Sequence, residues 1–91
     1  MEVKEAVSAA KSWLRSTLED EAIANIGLEE IEFDPHEHAW KITLGFSRPW
    51  NTVRNALTAI SGEPATRRAY RVITVDNTTG KINSMKRSDE D

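Results

Sequence analysis

Tyr70-Arg71-Val72-Ile73-Thr74-Val75-Asp76-Asn77-Thr78-Thr79-Gly80-Lys81-Ile82 is a β-hairpin in sequence form. Val and Ile supply the bulk that suits a pleated surface. Asp76 to Gly80 form a tight turn, and Gly80 falls where the chain needs a positive φ. The spacing therefore predicts one strand over Tyr70–Asp76 and its partner over Lys81–Arg87. The tail Ser88-Asp89-Glu90-Asp91 is polar and reads as frayed.

A second hairpin precedes it. Trp40, Ile42, Leu44 and Phe46 alternate with Lys41, Thr43 and Gly45, the period of a strand with one buried face. Ile31 and Phe33 alternate with Glu30, Glu32 and Asp34, giving its partner over Leu28–Asp34. Asp34-Pro35-His36-Glu37-His38 is the connecting loop, because Pro35 cannot donate to a ladder.

The N-terminal stretch has the helical period. Val3, Ala6, Val7, Ala10, Leu14 and Leu18 recur at three and four, predicting a helix from about Glu2 to Ala24. Gly27 is the expected stop, with Ile26 as the closing contact. Trp13 lies beside the stripe as a rim residue, whereas Trp40 leads an alternating strand and reads as core. Between Arg48 and Thr66, Pro49 and Pro64 punctuate both ends. Val53, Leu57 and Ile60 keep a helical spacing, with Asn51 or Thr52 as cap and Gly62 as stop. A structured crossover loop is the alternative there.

The order is α-β-β-(short α or loop)-β-β. The simplest way to bury both kinds of apolar stripe is an α+β fold, with the N-terminal helix packed on a four-stranded antiparallel sheet. Residues 1–87 make a single domain of this kind. A 91-residue chain buries only about 60–70% of its unfolded surface, which leaves no room for a second core or a deep interlobe cleft.

The N-terminal helix, the hairpin around Trp40–Phe46 and the late strand Tyr70–Asp76 turning through Thr79-Gly80 together resemble the PepSY-like and cystatin-like small domains. That resemblance implies a non-enzymatic binding or inhibitory module. The Gln-x-Val-x-Gly string of cystatin inhibitors does not occur, so protease inhibition is not carried over.

Composition narrows the chemistry further. With no cysteine, disulfides, thiolate metal sites and Cys nucleophiles are excluded. No phosphate loop or nucleophile elbow occurs, so neither an enzyme nor a cofactor is expected. The start Met1-Glu2-Val3-Lys4-Glu5 lacks the character of a signal peptide, and no apolar run nears the roughly 20 residues of a membrane span. A cytoplasmic protein without a membrane partner is the expectation.

Charge is unevenly placed. The net charge is −3, yet residues 1–38 hold ten acids and three bases, and residues 39–91 hold nine bases and five acids. Two candidate surfaces follow. Glu30, Glu32 and Asp34, with Glu29 and Glu37 beside them, form an acidic strand and loop on the face opposite Ile31 and Phe33. Arg48, Trp50, Arg54, Arg67, Arg68, Tyr70 and Arg71 give the middle of the chain the residue types enriched at binding hot spots. The expected function is protein–protein interaction by surface complementarity, as an accessory subunit, adaptor or immunity-type inhibitor. The alternative is nucleic-acid binding through the arginines of segment 48–71. Pairing of an outer strand across a homodimer axis is a further option. His36 and His38 beside Glu37 and Asp34 are metal-ligand types, but a polar hairpin loop explains them equally well.

Overall fold

The computed structural model describes the backbone of residues 1–53 and 65–88, with side chains for 1–49 and 68–88. One helix, α1 (Val3–Thr17), is followed by a short 3₁₀ turn at Glu19–Glu21. Four strands follow: β1 (Ala24–Asp34), β2 (Ala39–Val53), β3 (Ala65–Asp76) and β4 (Ile82–Arg87). They form one antiparallel sheet in the order β1-β2-β3-β4. The α+β architecture expected from the periodicities is present.

Alternation decides the faces of the sheet. Ile42 pairs with Ile73, Phe46 with Ala69 and Trp40 with Val75. Beneath α1, Ala6, Ala10 and Leu14 pack with Ile42, Leu44, Phe46, Ala69, Ile73 and Val75 in one core cluster. Alanines at Ala6 and Ala10 keep the helix surface low, so larger strand side chains fill the layer. Leu14, Ile42, Leu44, Phe46 and Ile73 are fully enclosed, and burying each side chain of this size stabilises the fold by about 1.5–3 kcal/mol. Trp13 and Trp40 are half-buried and pack against this cluster.

Three boundaries differ from the sequence expectation. The helix ends at Thr17, not Ala24. Its apolar stripe runs out at Leu18, and Glu19-Asp20-Glu21 place three acids at the negative end of the helix dipole, where they oppose extension. The left-handed residue that turns the chain is Ala22, with φ 51°, and not Gly27. Gly27 instead lies inside β1, opposite Gly45. Asn51 and Thr52, expected to cap a helix, are strand residues of β2, and Thr52 pairs with Thr66. The pairing shifts between Ser47 and Thr52, an irregular stretch that accommodates Pro49, which has no N–H to give. The expected helix or crossover through Leu57 and Ile60 to Gly62 lies outside the described residues, as does the tail 89–91.

Candidate functional site: the sheet face opposite the helix

The helix covers one face of the sheet. On the other face, Gly45 pairs with Tyr70, Thr43 with Val72, Lys41 with Thr74 and Ser47 with Arg68. From β1, Glu30 pairs with Thr43 and Glu32 with Lys41. The acidic strand thus shares a face with Arg68 and Tyr70 of the Arg/Tyr segment, whereas Arg48 and Arg71 lie on the helix side. Sequence alone treats the acidic strand and Arg68 with Tyr70 as separate surfaces, because some forty residues divide them along the chain.

The centre of this face has a glycine floor. Gly27 and Gly45 are cross-strand partners. A Cβ on Gly45 would lie 2.9 Å from Glu29 Oε1, 2.9 Å from the Tyr70 ring and 3.0 Å from Arg68 Nη2. The Tyr70 ring and the Arg68 guanidinium therefore occupy the space that a side chain at Gly45 would take. Arg68 Nη2 donates to the carbonyl of Asn25 at 2.9 Å and stands 3.7 Å from Glu29 Oε1. These contacts grip β1 where it is least regular. Asn25 has φ 56°, and the pairing slips between Ala24 and Gly27 and again between Leu28 and Glu30. Asn25 Nδ2 also donates to Ser47 Oγ, and Ser47 Oγ donates to the carbonyl of Ala24.

The remaining candidate residues fall into place around this centre. Glu30 and Glu32 are exposed and make no ion pair among the described residues. Asp34 is held 3.2 Å from Lys41 Nζ, with Glu37 at 3.6 Å from the same ammonium. Arg48 lies 3.4 Å from Glu21 and over the Phe46 ring at 5.5 Å. Arg71 lies over the same ring at 5.8 Å and donates to the carbonyl of Tyr70. Arg48 and Arg71 therefore close one end of the helix-side core. The side chains of Trp50, Arg54 and Arg67 are outside the described residues. Part of the charge asymmetry of the chain is resolved inside the fold, through Arg48–Glu21, Arg68–Glu29 and Lys41–Asp34.

The two turns at one end of the sheet share a design. Asp34 Oδ1 accepts the N–H groups of His36 and Glu37, and Asp76 Oδ1 accepts those of Thr78 and Thr79. The N–H bonds lower both carboxyl pKa values below the ordinary 3.8. The largest cause is Glu37 N–H for Asp34, with Lys41 next, and Thr79 N–H for Asp76. Asp34 in turn raises the Lys41 pKa above 10.5. Asn77 joins the two turns. It accepts from Trp40 Nε1 at 3.0 Å through Oδ1, faces His38 Nε2 at 3.3 Å through Nδ2, and donates its backbone N–H to the carbonyl of His38. His38 also meets the Phe33 ring edge-on. Among the described residues, no group of three His, Cys, Asp or Glu is arranged to hold a metal.

Asn25, Gly45 and Asn77 were not singled out as site residues from the sequence. Only Gly45 carried a signal, since an isolated glycine within a strand marks a close approach or a bulge. The partners of Asn25 and Asn77 are distant in the chain and leave no local trace. Among the described residues, no helix is long and apolar enough to cross a membrane. No family model, curated protein or solved structure matches this chain.

Proposed function

We propose that this chain is a non-enzymatic protein-interaction module of PepSY-like or cystatin-like form, binding through the sheet face opposite α1. The observation that supports this reading is the convergence of exposed Glu30 and Glu32 with Arg68 and Tyr70 on the face opposite α1. Such a face suits a partner surface with basic groups opposite the acids and an aromatic or apolar group opposite the Tyr70 ring. Complementary charge sets register and on-rate, and the aromatic ring supplies contact area.

Nucleic-acid binding is the less favoured reading. Phosphate contacts need free cationic heads, whereas Arg48, Arg68 and Arg71 are engaged by Glu21, Asn25, Glu29, Phe46 and Tyr70.

The test is co-purification from lysate of the native cell, with and without nuclease, using the chain and its Glu30→Lys/Glu32→Lys variant as baits. One stoichiometric protein, retained after nuclease and lost from the variant, is the expected result. Recovery abolished by nuclease, with affinity falling steeply in salt, would replace this reading with the nucleic-acid one. Arg68→Glu is a poor substitute, because it also releases Asn25.

A further inference from the structure

The opposite face of the sheet holds a different feature. Four strands spaced about 4.8 Å apart make a sheet roughly 15 Å across, and a helix is about 10 Å wide with its side chains. One helix cannot cover all four strands. Helix α1 packs against β2 and β3, and β1 lies toward the margin of its footprint. The register turns Leu28, Ile31 and Phe33 of β1 to the helix side. Leu28 remains 45% exposed and Phe33 38%. Between α1 and Leu28 runs an open groove of about 440 Å³.

The lining of this groove is polarised. Val3, Val7 and Leu28 make its apolar surface, and Val3 is itself 42% exposed. Lys4, Lys11 and Arg15 stand along it. These three are all of the bases in residues 1–38, a stretch that also contains ten acids. Every acid of that stretch stays off the groove lining, and none forms an ion pair with these three bases among the described residues. The cations fall at i, i+7 and i+11, so they form a row about 17 Å long on one side of the helix.

We infer that this groove seats a second helix, an amphipathic segment of a partner protein with an apolar stripe and an acidic flank. Its apolar stripe would cover Val3, Val7 and Leu28, and its carboxylates would face Lys4, Lys11 and Arg15. The helix would complete the layer that α1 leaves unfinished. A helix laid in an apolar groove is a recurrent mode of peptide recognition. A second copy of this chain fits less well, because α1 would bring its own Lys4, Lys11 and Arg15 against the same row. The inference does not depend on the sheet-face reading, since the two surfaces lie on opposite sides of β1.

The probe is a fluorescent amphipathic peptide of about 18 residues, long enough to match the cationic row. It carries leucines at helical spacing and glutamates on the flank, and a twin carries lysine at every glutamate. Anisotropy should show binding of the acidic peptide and none of the basic twin. Lys11→Glu/Arg15→Glu should weaken that binding about tenfold, consistent with the loss and reversal of two rim charges. Lys11→Gln, which leaves the helix intact, should weaken it less, Leu28→Asp should abolish it, and Glu30→Lys/Glu32→Lys should leave it unchanged. Circular dichroism melts of each variant separate lost binding from lost fold. Equal binding of both peptides, no binding of the acidic peptide at about millimolar concentration, or indifference to the Lys11/Arg15 reversal would overturn the inference. So would self-association that Leu28→Asp disperses, which would make a second copy the occupant.

Discussion

Gly45 carries Tyr70, Arg68 and Glu29 on its bare backbone, so a single methyl there must displace all three. Gly45→Ala should destabilise the domain by about 1–3 kcal/mol, the usual cost of overpacking a filled space, as urea denaturation would measure. Gly80 is a different case. Its φ of +76° is the constraint, and the atom nearest an added Cβ is the flexible end of Met1. Gly80→Ala should cost about 1–2 kcal/mol, and Gly80→Asn less, because asparagine tolerates the left-handed region. Asp76 adds a pH signature. Its folded pKa is lowered, so its contribution is present above the unfolded value of 3.8 and is lost as pH falls through the folded one. Asp76→Ala should lower the Tm at pH 7 and flatten the acid limb of a Tm–pH profile relative to the parent chain. The turn at Asp76–Gly80 was legible because its chemistry is local. The role of Asn77 was not, since its side chain serves Trp40 and His38, about forty residues away.

Helix α1 shows why its position was legible and its end was not. The apolar stripe gave the buried residues Ala6, Ala10 and Leu14 directly. The stop depended on a conflict between helical spacing and the acids Glu19, Asp20 and Glu21, and a glycine four residues past Ile23 was a more obvious punctuation mark. The same glycine looked like a cap only because its strand partner, Gly45, is invisible locally. Leu14→Ala should cost about 2–5 kcal/mol, since Leu14 is fully enclosed. Ala10→Leu should also destabilise the fold, by about 1–3 kcal/mol, because α1 rests on the sheet through that side chain. Chemical denaturation of both variants tests whether the helix–sheet layer has so little slack. The strands β2 and β3 were legible through their alternation, but their continuation to Val53 and from Ala65 was not, because Pro49 and the helical spacing of Val53, Leu57 and Ile60 argued against it.

In the molecule as a whole, β1 and β4 are the sheet edges, and β1 carries Glu29, Glu30 and Glu32. A second copy pairing along β1 would bring these carboxylates together, and two slips of register already break the regularity such pairing needs. Glu30→Val/Glu32→Val should therefore raise self-association, seen as a larger sedimentation coefficient with rising concentration. The candidate face was legible as a list of residues and not as a place. Periodicity put Glu30 and Glu32 on the face opposite Ile31 and Phe33, but only strand pairing set Arg68 and Tyr70 on that same face.

The junction at Asn77 has a consequence for how the chain acquires its shape. The pairs β1–β2 and β3–β4 each close over a few residues, whereas the β2–β3 ladder starts at Val53–Ala65 and reaches Ala39–Asp76 only at its far end. Local closures precede distant ones in folding, because the longer loop costs more entropy. Trp40 and Asn77 stand at that far end, so the indole proton reaches its acceptor only when the β2–β3 ladder has closed along its whole length. Exchange of that one proton with solvent thus reports opening of the β2–β3 ladder at its far end, separately from the β1–β2 and β3–β4 pairings.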